Sequence, residues 1–201
     1  MKNDIHFWTA TLGRGALALI VGSAVMVIPD MATTLLLLPF ALVISILCLA
    51  SYGVLDSALV FTTSFMASSR TARIALRLQG MVGVICGIVL LAVVYDRVRL
   101  HWFLYLIAFQ AFCVSIAEFI VARHAFPRGT SAWNYAAATV ALTFVAVYSL
   151  VGIYFKETLL PREIAWLIYG YLVAFGLAEC LTASRMLYAD HKIAEAHVHG
   201  L

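Results

Sequence analysis

The sequence predicts an all-α integral membrane protein with six transmembrane helices arranged as three repeated helical hairpins. Of its 201 residues 64% are hydrophobic and only 11% are charged, whereas soluble domains carry about 25% charged residues. The apolar residues also fall in continuous runs, each near or above the roughly 20 residues that a helix needs to cross a bilayer. The six runs lie at 9–28, 33–66, 74–95, 102–122, 133–155 and 164–184. We therefore predict one membrane domain over 1–201 whose surroundings are the lipid bilayer.

The first run resembles a signal peptide, because Lys2 and Arg14 precede an apolar stretch. It is long, however, and it ends in Pro29 and Asp30 without the small residues of a cleavage site. We interpret it as a retained first helix.

The second run is too long for one upright crossing and too short for two. A straight helix over 33–66 would measure about 50 Å at 1.5 Å per residue. The sequence therefore predicts a single span, tilted or bent near Pro39 or Gly53, whose end at 61–66 leaves the hydrocarbon.

The remaining runs give four ordinary spans and a short tail over 187–201. Tryptophans at predicted helix starts indicate anchoring at the headgroup region, where an amphipathic ring is favourable. These tryptophans are Trp8, Trp102, Trp133 and Trp166.

Basic residues in the short connections predict the orientation. Nine lysines and arginines fall on the side that holds both termini, and four fall on the other. By the positive-inside rule both termini of this multi-pass protein are cytoplasmic. The net charge of +3 without a basic cluster among aromatics excludes nucleic acid as a predicted partner.

Three acidic residues within apolar runs indicate an internal repeat. Asp56, Glu118 and Glu179 are separated by 62 and 61 positions, and each follows a small residue and two apolar residues. Each acid lies in the second helix of a predicted hairpin, and the hairpins cover about 8–68, 73–124 and 133–186.

Small residues recur in the first helices of the first two hairpins. Their steps of three and four positions place them on one helix face, which predicts close helix packing in lipid. Gly15, Ala18 and Gly22 align at a constant offset of 65 with Gly80, Gly83 and Gly87.

With this pattern the chain resembles the HdeD-like acid-resistance membrane proteins, which have about six helices in repeated hairpins. The residues that carry the resemblance are Trp8, Gly15, Gly22, Pro29, Gly53, Gly80 and Gly87. The resemblance implies a bacterial inner-membrane protein of stress or acid tolerance, and it transfers no catalytic residues.

The acids predict a charged layer near the cytoplasmic helix ends. Arg14 and Arg77 enter their helices from that side, so they can reach the depth of Asp56, Glu118 and Glu179. One interpretation is a polar cavity that binds protons or a cation; the other is a set of structural ion pairs near the interface.

The sequence predicts no enzyme, because it has no phosphate-binding glycine loop, HExxH or nucleophile elbow. It also predicts no metal site and no cofactor. The preferred interpretation is a non-enzymatic protein associated with stress or acid tolerance. A small proton- or cation-linked transporter or channel that uses the three acids is the alternative, and a membrane scaffold acting through helix association is a further one. The sequence is compatible with a homo-oligomer or with a membrane-protein partner.

Overall fold

The computed structural model describes residues 4–34, 38–67, 69–95, 100–124, 131–155, 158 and 161–199. Six α-helices occupy these ranges: α1 Asp4–Thr34, α2 Leu38–Ser64, α3 Arg70–Tyr95, α4 Leu100–His124, α5 Ser131–Tyr154 and α6 Pro161–His199. Each contains a stretch of 19 to 28 residues apolar enough to cross a membrane. The predicted class, an all-α membrane protein with six spans, is confirmed.

Helix ends differ from the predicted ones at two places. The long second run is divided, because α1 continues to Thr34 and α2 begins at Leu38. Pro39 then lies in the first turn of α2, where its missing N–H costs no helical hydrogen bond, so the run needs no bend there. The last helix extends to His199, so most of the predicted tail continues α6.

The end of α2 is set by a run of hydroxyl side chains. The Oγ atoms of Thr62, Thr63 and Ser64 donate to carbonyls three residues back, at 2.8, 2.7 and 2.6 Å. Hydroxyl groups that bond to the local backbone compete with the helical ladder. The backbone N–H groups of Phe65 and Met66 then bond in the tighter i to i−3 pattern, and the helix stops.

Neighbouring helices pack in chain order, and α6 closes against α1. Within the described ranges the helices therefore form a ring. The most extensive contacts join α1 with α6, α2 with α3, and α4 with α5. The helices within each predicted hairpin, such as α1 and α2, pack against each other less. The hairpin repeat stays a prediction of the sequence, and the closest partners lie in different hairpins.

The small-residue faces lie at two of these close contacts. Gly15 and Gly22 of α1 face α6, where a methyl group at Gly15 would come within 2.8 Å of the Gly176 carbonyl oxygen. Ala18, between them, is fully buried. Gly80, Gly83 and Gly87 of α3 face α2, and a methyl group at Gly80 would come within 3.0 Å of the Ser57 carbonyl oxygen. Both faces thus allow the backbones to approach closely.

Candidate functional site

A buried arginine lies among the three acids of the predicted repeat. Arg14 Nε donates to Asp56 Oδ1 at 2.9 Å, and Arg14 Nη1 donates to Glu118 Oε1 at 2.7 Å. The same Nη1 lies 3.7 Å from Glu179 Oε1. Four different helices thus contribute one charged side chain each, and together they form what we call the Arg14 cluster: Arg14, Asp56, Glu118 and Glu179.

Burial distinguishes the Arg14 cluster from charges at a wet interface. Arg14 is 4% exposed, and Asp56, Glu118 and Glu179 are 5%, 3% and 2% exposed. The sequence left open whether the acids converge and whether they touch water near the membrane surface. The structure brings them together in the packed interior, where charge is far more costly than at the surface.

The small residue that precedes each acid by three positions explains the recurring pattern around it. Gly176 of α6 touches Gly15 of α1, and Gly53 of α2 lies against Gly87 of α3. In α4 the Ser115 hydroxyl donates to the Ala138 carbonyl of α5 at 2.9 Å. Each small residue therefore lies at a close helix contact, and the acid one turn later lies in the shared interior.

The three acids are not equivalent. Asp56 and Glu118 each accept a charge-assisted hydrogen bond from Arg14, which is the stronger class of hydrogen bond. Glu179 Oε1 and Arg14 Nη2 are both buried without a hydrogen-bond partner. Glu179 is therefore the carboxyl group that Arg14 satisfies least.

A central cavity adjoins the Arg14 cluster. It has a volume of about 30 Å³, which is enough for one or two waters. The even-numbered helices line it, with Tyr52 and Asp56 from α2, Gln110 from α4, and Tyr171 and Phe175 from α6. The Phe175 ring also lies 5.6 Å from Arg14 Cζ, a cation–π distance.

A second cavity, of about 10 Å³, lies between α2, α3 and α4. Asp56 and Gln110 line it as well as the central one, and Gln79 of α3 joins them. Gln79 is 6% exposed, and both atoms of its amide lack a partner among the described residues. Since a buried amide without partners is costly, this cavity is suited to a bound water or another small polar species.

Arg77, which the sequence placed in the charged layer, belongs elsewhere. Its Nε donates to Ser64 Oγ at 3.4 Å, and its guanidinium lies 4.8 Å over the Phe65 ring. In the described part of the chain the ion pairs of the three acids all go to Arg14. The assignment of Arg77 to the layer is wrong.

The sequence contained a signal that corrects it. The offset of 65 that aligns Gly15 with Gly80 aligns Arg14 with Gln79, and Arg77 falls two positions short. Two positions on a helix turn a side chain to the far side. The chain has two glutamines, Gln79 and Gln110, and both line the cavity at Asp56. The polar residues within the apolar spans, including both glutamines, therefore indicated the location of the site in the sequence.

The fold and the buried cluster define a class: a polytopic all-α membrane protein with an intramembrane charged site. Comparison of the chain with protein-family models, with curated proteins and with solved structures finds no match. The resemblance to HdeD-like proteins stays a prediction from the sequence. Among the described residues no group of histidine, cysteine, aspartate and glutamate side chains is arranged to hold a metal ion.

Proposed function

We propose that this chain is a non-enzymatic membrane protein whose Arg14 cluster binds protons, and that proton binding there contributes to acid tolerance. The observation that carries the proposal is the charge count of the cluster. One guanidinium faces three carboxyl groups inside the bundle, so the cluster carries a charge of −2 when all are ionised. An uncompensated charge is expensive to bury, and each bound proton removes one unit of it.

Glu179 is the group on which we place the proton. Arg14 neutralises one of the two carboxylates that it hydrogen-bonds, and the least satisfied carboxyl gains most from protonation. Its position among four helices supports coupling, because the charge of Glu179 acts on Arg14 and through Arg14 on Asp56 and Glu118. A proton there would redistribute the ion pairs that hold α1, α2, α4 and α6 together.

Infrared difference spectroscopy of the purified protein tests proton binding directly. A protonated carboxyl group gives a carbonyl absorption that a carboxylate lacks, and we expect this absorption to appear in wild type as the pH is lowered from neutral. The Glu179→Gln variant should lose it, whereas Glu163→Gln, an exposed acid of the same helix, should keep it. If wild type shows no protonated carboxyl from neutral to acidic pH while folded, the cluster does not bind protons and the proposal fails.

The cellular part of the proposal needs its own measurement. Cells that express Glu179→Gln at wild-type levels should survive an acid challenge less well than cells with wild type. If survival is equal although the infrared measurement shows proton binding to Glu179, the cluster binds protons but does not contribute to acid tolerance. The cellular part of the proposal would then be refuted.

A second candidate is a small proton- or cation-linked transporter, and the central cavity favours it. The cavity reaches Asp56 between α2, α4 and α6 and has polar walls at Tyr52, Gln110 and Tyr171. A path for ions needs such polar groups in the bundle interior. Proton or sodium flux into proteoliposomes, lost in Asp56→Asn, would support transport; wild-type vesicles as tight as empty ones would exclude it.

A further inference from the structure

Three arginines lie near each other at the start of α3. Arg70, Arg73 and Arg77 are spaced by three and four positions, which places them along one side of the helix. Arg73 Nη2 donates to the Ala67 carbonyl at 3.1 Å. Arg77 reaches Ser64 at the end of α2. These contacts bring two guanidinium groups to the turn that joins α2 and α3, and Arg70 is exposed beside them.

These arginines have no acidic counter-charge among the described residues. The buried acids Asp56, Glu118 and Glu179 all pair with Arg14 instead. The partners of Arg73 and Arg77 are a carbonyl, a hydroxyl and an aromatic ring, all uncharged. In addition, Arg73 Nε is buried without a hydrogen-bond partner. Three positive charges and an unused donor indicate an anionic ligand.

The location indicates what kind of anion. The apolar stretch of α2 ends at Ser64 and that of α3 begins at Arg70. Arg70 therefore lies at the end of its span, and Arg77 lies about 10 Å further along the helix. Phe61 and Phe65 beside them are 39% and 59% exposed, with their rings edge to face at 5.5 Å. Exposed phenyl rings near the end of a span are suited to contact acyl chains, and long arginine side chains can extend along the helix to the phosphate groups.

We propose that Arg70, Arg73 and Arg77, with Phe61 and Phe65, form a binding site for an anionic phospholipid. The guanidinium groups bind the headgroup phosphate through charge-assisted hydrogen bonds, because the planar fork of arginine matches two phosphate oxygens. The phenyl pair packs against the first part of the acyl chain. A free phosphate ion would use the arginines but leave the aromatic pair without a role, so the site is suited to a lipid.

Native mass spectrometry of the full chain in detergent tests this site. The probes are anionic phosphatidylglycerol and zwitterionic phosphatidylcholine. Wild type should retain phosphatidylglycerol preferentially. Arg73→Gln together with Arg77→Gln should weaken that binding by tenfold or more, since each arginine near the headgroups contributes about fivefold. Arg123→Gln, which removes an exposed charge at the end of α4, is the matched control and should leave it unchanged.

Several results would overturn the proposal. Equal retention of the two lipids by wild type excludes a headgroup site, and an equal loss in Arg123→Gln shows that only net charge matters. Displacement of phosphatidylglycerol by inorganic phosphate alone would indicate a soluble anion. If the double variant does not fold, Arg70→Gln decides, because this exposed side chain can be replaced without disturbing the core; unchanged phosphatidylglycerol affinity would then refute the site.

Discussion

At the scale of single residues, Arg14 is the side chain that compensates the buried negative charge. It supplies the cation for three buried carboxyl groups, and two of them receive its hydrogen bonds at 2.9 and 2.7 Å. An intact buried ion pair adds little net stability, whereas loss of one partner leaves buried charge without compensation. The proposed proton binding and the stability of the cluster are therefore linked through Arg14.

Replacement of Arg14 by glutamine should destabilise the protein strongly. We expect a loss of about 3–5 kcal/mol in the free energy of unfolding, because the three acids lose their cation. Thermal unfolding in detergent, followed by circular dichroism, measures it. Adding Glu118→Gln to Arg14→Gln should recover part of the loss, since it removes one of the stranded carboxylates. An unchanged midpoint in Arg14→Gln would contradict the central role of this residue.

The three acids should respond unequally to neutralisation. Glu179→Gln should change the free energy of unfolding by less than about 1 kcal/mol, because Glu179 Oε1 accepts no hydrogen bond that the substitution would remove. Glu118→Gln and Asp56→Asn replace a charge-assisted hydrogen bond with a weaker one and should cost about 1.5–3 kcal/mol each. Chemical unfolding of the three variants under one condition makes the comparison. A Glu179→Gln variant less stable than the other two would show that Glu179, and not Asp56 or Glu118, is the acid that Arg14 stabilises most.

Part of the Arg14 cluster could be predicted from the sequence. Equal spacing and a shared local pattern placed Asp56, Glu118 and Glu179 at similar depth, and the structure brings them together. Arg14 and Arg77 lie at similar depth, and only their angles around their helices separate them. The acids differ in their distances to Arg14, which are 2.9 Å for Asp56, 2.7 Å for Glu118 and 3.7 Å for Glu179. The spacing of residues along the sequence does not encode such differences.

At the scale of helices, hydropathy predicted the spans but not their partners. All six helices are apolar on most sides, and in lipid apolarity does not distinguish one neighbour from another. Partner choice follows from shape, where a small residue meets a small residue. Gly15 against Gly176 joins α1 to α6, the two ends of the chain. A hairpin pattern, which favours sequence neighbours, could not predict that closure.

Two glycines of α1 should respond in opposite ways to alanine. A methyl group at Gly15 would lie 2.7 Å from Cys180 Sγ and 2.8 Å from the Gly176 carbonyl oxygen, whereas at Gly13 nothing lies within 4 Å. Gly15→Ala should therefore destabilise by about 1–3 kcal/mol through overpacking. Gly13→Ala should stabilise by up to about 1 kcal/mol through helix propensity.

Thermal unfolding of both glycine variants, measured side by side, checks the contact between α1 and α6. The comparison removes any general effect of alanine in this helix, because the two positions lie within one turn. If Gly15→Ala is as stable as Gly13→Ala, α1 and α6 do not approach as closely as Gly15 and Gly176 indicate.

At the scale of the whole molecule, the ring explains how distant parts of the chain share one site. Because α6 closes on α1, Arg14 near the beginning of the chain meets Glu179 near its end. The even-numbered helices run in one direction and carry the acids, so these lie in one layer. That layer is nearer the side of the α2–α3 connection, where the three arginines of α3 also lie.

Six spans and the distribution of basic residues together predict where that layer faces. The α2–α3 and α5–α6 connections must lie on opposite sides of the membrane, and the positive-inside rule assigns the former to the cytoplasm. Ser69→Cys and Thr158→Cys, in a background with the four native cysteines replaced by alanine, report each side. A membrane-impermeant maleimide should label only Thr158→Cys in intact cells and only Ser69→Cys in inverted vesicles. The reverse pattern would place the Arg14 cluster nearer the outer surface, and labelling of both positions from one side would contradict the six-span topology.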